Sequence, residues 1–501
     1  MSTQPASVLP ILGNTFYGND FPSIVKQQVS NYLIAIQQDD RSDWEIEAAK
    51  MKDVYTNAYL TIAAANASNN AQGFLKPRPN KTITLEFPDH EHAPDGIVLA
   101  RRDLHAHSDR SPFQNSPAPL FERGWIYQER LLSARVLYFE ENELLWDCRT
   151  DVFCECGDFP STVIHQADYY HIIHNLYMLC QAREDGFNEV EHKHCELSFD
   201  NNDSGVYDWW YTKAMIEYTR LKFTKESDRL PALSGLAKLM VQKTGDVYLA
   251  GLWKRDLVKG LLWHSVQKDN CCKSYLPRQY RAPSWSWMSI ESPNMDFIYP
   301  DKFPVDHSPY FSADSVVVEA YIVPLGEDVL SEVVDGRITL FGSMLPAMLR
   351  MQAGSDPSEK QFDFSLQVHS TEGAPWLPFH SSPLVFHPDV NITLTTIYTA
   401  EQRGLQVFQR STTRPELVQE QEKGMDVQAP VHLLRLGRIS RPKDGVAFLV
   451  LTPSMRENNA WERIGLLIWW SDRASYPANP ELDAEARIHE ISCERQEVTI
   501  L

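Results

Sequence analysis

The stretch Arg123–Cys148, RGWIYQERLLSARVLYFEENELLWDC, decides how the N-terminal part of this chain folds. Trp125, Gln128, Glu129 and Leu132 fall on one face at helical spacing, and the run is too apolar for a surface connection, which predicts a short buried helix. From Arg135 the residues alternate, turn at Glu140 to Asn142 and resume as Leu144, Leu145 and Trp146, the pattern of a hairpin with a polar tip. Helix and hairpin are expected to dock as one unit. Glu129 and Arg130 then sit beside large apolar side chains, where removing one partner of a buried pair costs on the order of 3 to 5 kcal/mol, so both need partners.

Working upstream, the segment Ser42 to Ala58 reads as a second helix. Ser42 followed three residues later by Glu45 forms a capping box, and Asp43 suits the positive end of the helix dipole. At about 100° per residue, Trp44, Ala48, Met51, Val54, Tyr55 and Ala58 cluster in one arc, opposite Glu45, Lys50, Lys52 and Asp53. Glu47 is the exception, a carboxylate inside the apolar arc. Desolvation raises the pKa of such a group unless a cation sits beside it, and such groups are enriched at working sites. The plainer reading is a structural bridge from Glu47 to Arg123 or Arg130. Tyr32 to Ile36 and Tyr59 to Ala65 read as short strands around this helix, the latter ending in an Asn-rich turn before Gly73. Ile83 to Phe87 and Ile97 to Ala100 read as two more, followed by the exposed loop HAHSDRSPFQNSPAP.

RGWIYQERLLSARVLYF, taken with DWEIEAAKMKDVYTNAYLTIAAANASNNAQGFL upstream, resembles the fungal heterokaryon-incompatibility (HET) domain over roughly Tyr32 to Cys156. ESDRLPALSGLA, YLAGLW, GLLW and YRAPSWSW resemble the tails of many long HET proteins. The resemblance implies that Asp43, Trp44, Tyr55, Ala58, Arg123, Gly124, Trp125, Gln128, Glu129 and Arg130 are family-motif positions. HET domains are distantly similar to Toll/interleukin-receptor-like domains, some of which cleave NAD with a helix-borne glutamate, and that analogy would make Glu47 a catalytic carboxylate. The usual opening Ala-x-Ser-Tyr-x-Trp-Gly strand and the Trp-Ile-Asp block have no counterpart here, which implies an incomplete N-terminal part of the domain.

Downstream, helices are expected at Trp209 to Phe223, Leu230 to Thr244 and around Tyr248 to Trp263, packing on the N-terminal domain. From Tyr280 the character becomes β, in runs such as Ser315 to Val323, Arg337 to Phe341, His432 to Arg435, Val446 to Leu451 and Ile464 to Trp470, with Gln361 to Gln428 partly loop. Ser284-Trp285-Ser286-Trp287 alternates like a strand edge with buried indoles. The expected organisation is an ill-defined segment 1–30, a partial HET domain 31–156, a variable and helical segment 157–275 and a β-rich domain 276–501. In fold class this is α+β or α/β: a short sheet flanked by helices, a helical middle and a β-rich C-terminal part.

At 501 residues the chain exceeds the size at which single cores stop growing, so several domains are expected. Lys and Arg total 47 against 67 Asp and Glu, a formal charge of -20 without a basic run, which disfavours a nucleic-acid partner. Eight Cys at uneven spacing do not form the dense framework of a secreted disulfide scaffold. No segment has the length and apolarity of a signal peptide or a membrane span, so a soluble cytoplasmic protein is expected. The cluster Cys148, Cys154 and Cys156, with His171, His174, His192, His194 and Cys195 beyond it, lacks zinc-ligand spacing, and no metal is expected. Ser234 before Gly235 lacks the nucleophile elbow of a hydrolase. Three functions are weighed. The resemblance implies nonself recognition with growth arrest or cell death, working through protein partners and with no established cofactor. The second is an NAD-consuming enzyme built on Glu47. The third is a degenerate scaffold that no longer signals.

Overall fold

The computed structural model describes residues 41–69, 71–75, 82–86, 97–101, 118–141, 143–148, 152–155, 204–266, 274–298, 310–353, 362–368, 376–378, 384–398, 403–411, 426–440, 444–470 and 494–501. The chain is mixed helix and strand, β-rich towards its C-terminus and with few helices, and it forms two compact units, Met1–Met178 and Leu179–Leu501.

In the first unit, helix α1 (Arg41–Asn57) leads into strand β1 (Thr61–Ala63), and Gly73 closes the Asn-rich turn with a positive φ. The pair β2 (Thr82–Glu86) and β3 (Ile97–Arg101) is an antiparallel hairpin at the two positions that their apolar runs predict. A 3-10 turn (Pro119–Glu122) precedes helix α2 (Ile126–Leu132), with Trp125 as its N-cap residue. Strands β4 (Arg135–Phe139), β5 (Leu144–Cys148) and β6 (Val152–Cys154) follow. The expected hairpin is present, its tip closed by Glu140 N–H donating to the Glu143 carbonyl at 3.1 Å. Because side chains alternate across a strand, β4 and β5 send Val136, Tyr138 and Leu145 into a core with Ala63, Ala65 and Ala118. Strand β1 lies parallel to β4, so the sheet runs β1-β4-β5-β6 and is mixed rather than all-parallel. The strand expected at Tyr32 to Ile36 and the Cys156-to-Cys195 cluster lie outside the described residues, as do the side chains of Ser42 and Asp43 and with them the expected capping box.

The second unit opens with helix α3, which runs through Ser204–Trp209, a π turn Trp210–Ala214 and Met215–Thr219, and continues with α4 (Pro231–Thr244). Gly245, at φ 64°, supplies the left-handed residue that ends α4. The third expected helix does not form. Its sequence makes the two-residue strands β7 (Tyr248–Leu249) and β8 (Leu252–Trp253), one helical turn α5 (Leu257–Gly260) and strand β9 (Trp263–Ser265). The cause is the tight turn at Ala250 (φ 46°) and Gly251 (φ 101°). The Gly251 carbonyl accepts the indole N–H of both Trp210 and Trp287 at 2.8 Å, and a Cβ at Gly251 would lie 2.8 Å from the Trp287 ring nitrogen. Ser284 to Ser289 is also not a strand: Ser286 caps a 3-10 turn over Trp287–Ser289, although Trp285 and Trp287 are fully buried as their spacing suggested.

Strands β10 (Met295–Phe297), β11 (Phe311–Ala313), β12 (Val316–Pro324), β13 (Val333–Ala353), β14 (Phe362–Val368), β15 (Leu377–Pro378), β16 (Leu384–Pro388), β17 (Ile392–Tyr398), β18 (Arg403–Arg410), β19 (Asp426–Ile439), β20 (Gly445–Pro453), β21 (Trp461–Trp470) and β22 (Arg495–Ile500) complete the unit. The apolar runs read from sequence all fall in strands, but residues 361–428 hold more strand than expected: β14 folds back on the preceding β13, β17 and β18 pair with each other, and β16 is recruited by distant β21. Strand β13 pairs with β22 along its first half and with β19 along its second. The succession β13, β22, β21, β20, β19 therefore closes on itself in the manner of a small barrel. Its core holds Leu345, Leu349, Val431, Phe448, Val450, Ile464 and Leu467.

Beside that core, Arg463 on β21 is wholly buried. Its guanidinium pairs with Asp389 at 3.1 Å, donates to the carbonyls of Leu261 and Trp263 at 2.8 and 2.6 Å, and lies 3.5 Å from the centre of the Trp263 ring. One charged side chain thus joins the segment before β10 to the strands that close the unit. A second buried cluster places Arg229 and Arg281 on either side of Glu291.

Candidate functional site

Four of the motif positions meet where α1 approaches α2, Trp44 with Trp125 and Tyr55 with Glu129, while the side chain of Asp43 lies outside the described residues. Trp44 and Trp125 make an edge-to-face contact, ring centres 6.1 Å apart at 86°, the arrangement that the aromatic quadrupole favours. Both indoles are half-buried. Gln128, Ile126, Tyr127, Leu131 and Leu132 are buried on α2, and Gly124 is buried just before it. Tyr55, Ala58, Glu129 and Arg130 are half-buried, whereas Arg123 is exposed.

Glu129 is the ionisable group on which this junction turns. Burial raises its carboxyl above the ordinary range; the nearby Arg123 guanidinium and a hydrogen bond from the Tyr55 hydroxyl pull it back in part. The Glu129 backbone carbonyl accepts from both the N–H and the hydroxyl of Ser133, and that hydroxyl lies 2.7 Å from the Thr61 hydroxyl. The end of α2 is thereby tied to β1.

Glu47 sits elsewhere in this scheme. Its carboxylate pairs with Lys50 one turn along the same helix, at 2.9 Å, and its side chain retains 30% of its exposure. The bridge weighed for it, to Arg123 or Arg130, is replaced by this local pair, and Arg123 acts on Glu129 instead. Neither the Lys50 pair nor the Tyr55 bond was read from sequence. The first was legible as an i,i+3 spacing. The second joins residues from different segments, and no local pattern announces it.

Residues 33–129 match the family model of the heterokaryon incompatibility protein (HET). That part of the chain is similar to the HET family. The HET segment takes in α1, β1, the β2–β3 hairpin and the first half of α2, and it ends at Glu129; β4 to β6 lie beyond it. No curated protein and no solved structure matches the chain. Among the described residues no group of three His, Cys, Asp or Glu side chains is placed to hold a metal ion, and the Cys154 thiol donates to the Glu143 carboxylate. No helix among the described residues is long and apolar enough to cross a membrane.

Proposed function

We propose that the chain is a heterokaryon-incompatibility protein of fungal nonself recognition, in which the HET segment signals growth arrest or cell death through protein partners. The observation that carries this reading is the meeting of Trp44 and Tyr55 with Trp125 and Glu129: motif positions from two separate blocks form one α1–α2 junction. A signalling module needs such a rigid, composite surface, because a partner must read several side chains in a fixed arrangement. The β-rich second unit carries loops on a closed strand framework, the usual placing of recognition residues. The carboxylate of Glu47 is engaged by Lys50, which favours signalling by assembly over cofactor chemistry at that residue.

The test is inducible expression of the full chain in a fungal host, scored for viability. Growth arrest that is lost in Trp125→Ala, at equal protein level, supports the reading. Normal growth at high expression would count against it and in favour of a scaffold that does not signal.

A further inference from the structure

The antiparallel pair β9–β10 lies against β16 and β21, and two imidazoles and one guanidinium meet at that joint. His264 on β9 is buried, opposite Asp296 on β10, and its ring centre lies 4.2 Å from that of His387, the planes tilted by 46°. His387 belongs to the other side of the joint, on β16, where it pairs with Leu466 of β21. Arg463 crosses from β21 to the carbonyls of Leu261 and Trp263. Neutral rings pack at this separation. Two imidazolium ions repel each other there, and a wholly buried guanidinium beside them adds a third positive charge.

The charged and polar groups around the pair do not all pull one way. The Leu262 carbonyl favours a proton on His264 and Asp296 favours one on His387, but Asp296 is exposed and water screens it. Burial outweighs both, with Arg463 acting on His264 and His264 on His387: His264 is lowered from 6.5 to about 4, and His387 lies well below its ordinary value. Asp389, which neutralises Arg463, is raised by burial despite Arg463 and Arg410, so its proton favours the closed joint. Two histidine protons oppose that one. Because each imidazole binds its proton more tightly once it reaches water, falling pH favours the open form.

We infer that His264 and His387 form an acid-released latch, whose protonation frees β9–β10 from β16 and β21 while the ring of β13, β19, β20, β21 and β22 stays closed. The opening is local because that ring is held by its own strand pairing, none of which passes through β9 or β10. A two-stranded ribbon is marginally stable by itself in water, so the freed pair frays and Met295 and Phe297, buried on β10, become accessible.

Hydrogen exchange of the full chain at pH 7.5 and pH 5, corrected for intrinsic rates and read by mass spectrometry, tests the latch. The shift of His264 alone predicts about a 30-fold gain in opening at pH 5. Peptides covering β9 and β10 are expected to lose more protection than that in the wild type, about 30-fold in His387→Phe, which keeps His264, and none in His264→Phe with His387→Phe. Peptides of β19 and β20 should stay protected, and return to pH 7.5 should restore the rest. Asp296 and Asp389 remain in both variants, so the differences report the imidazoles. Equal protection of β9 and β10 at the two pH values in the wild type overturns the inference. So does a loss in His387→Phe as large as in the wild type, which needs no folded double variant to observe, or a loss that spreads equally to β19 and β20.

Discussion

Tyr55 on α1 hydrogen-bonds the carboxyl group of Glu129 on α2, and through that contact the two motif blocks of the HET segment share a proton-sensitive joint. Burial raises the Glu129 pKa above its unfolded value, near 4.5, so the folded state binds this proton more tightly than the unfolded chain. Its contribution to stability is complete below that unfolded value and is lost as pH rises through the folded pKa. Glu129→Gln, neutral at every pH, is expected to raise the thermal midpoint at neutral pH and to flatten its pH dependence in that window. Tyr55→Phe removes a donor to a carboxylate and is expected to cost about 2 kcal/mol at neutral pH. Thermal melts across the acid range check both variants; identical slopes for wild type and Glu129→Gln would refute the assignment.

The Trp44–Trp125 contact should be measurable as coupling. Each alanine substitution is expected to destabilise the first unit by about 2 kcal/mol, less than the loss at a fully buried aromatic because both rings are half-buried. A double-mutant cycle should return roughly 1 kcal/mol of interaction energy, and a value near zero would mean that the rings only share a neighbourhood.

Asp389 is the counter-charge that lets Arg463 stay dry. Asp389→Ala leaves a wholly buried guanidinium uncompensated and is expected to cost about 3 to 5 kcal/mol in denaturant unfolding of the second unit. Removing both charges with Arg463→Met and Asp389→Leu should recover part of that loss, but not all, since the carbonyls of Leu261 and Trp263 also lose their donor.

His264 on β9, buried, and His387 on β16, half-buried, lie against each other, ring centres 4.2 Å apart. Burial, with Arg463 nearby, lowers His264 from 6.5 to about 4, and burial together with His264 lowers His387 well below its ordinary value despite Asp296. A folded-state pKa below the unfolded one means that the stability is present above 6.5 and is lost as pH falls towards 4. The His264 shift alone amounts to about 3 kcal/mol across that interval. Denaturant unfolding at a series of pH values should show this decline in the wild type, His264→Phe should remove the His264 share and leave that of His387, and the double variant His264→Phe with His387→Phe should remove most of it; an unchanged decline in the double variant would exonerate the pair.

Incubation of the purified chain with NAD separates assembly from cofactor consumption. No nicotinamide release is expected from either the wild type or Glu47→Ala. Turnover by the wild type that disappears in Glu47→Ala would establish the enzymatic reading in its place.

Much of the first unit was legible in its residues. The period of the Trp44 to Ala58 arc, the spacing of Trp125, Gln128, Glu129 and Leu132, and the alternation after Arg135 are local signals, because helix and strand faces are set by backbone geometry within a few residues. In the second unit the runs at Ser315 to Val323, Arg337 to Phe341, His432 to Arg435, Val446 to Leu451 and Ile464 to Trp470 announced themselves in the same way, whereas β7 to β9 and the strands between 361 and 428 did not. What the sequence by itself determined, then, is which short segments are helix or strand and which of their faces are apolar. Tertiary structure alone decided that Arg123 serves Glu129 rather than Glu47, that Tyr55 hydrogen-bonds the same carboxyl, and that the apolar run Tyr248 to Trp263 bends at Gly251 to meet two indoles instead of forming a helix. It also decided that Asp389 neutralises Arg463 and that β13 closes a ring with β19 and β22. The physical reason is common to these cases: the energy of a buried charge, an indole N–H or a strand edge is fixed by whichever group arrives beside it, and in each case that group comes from a different segment of the chain.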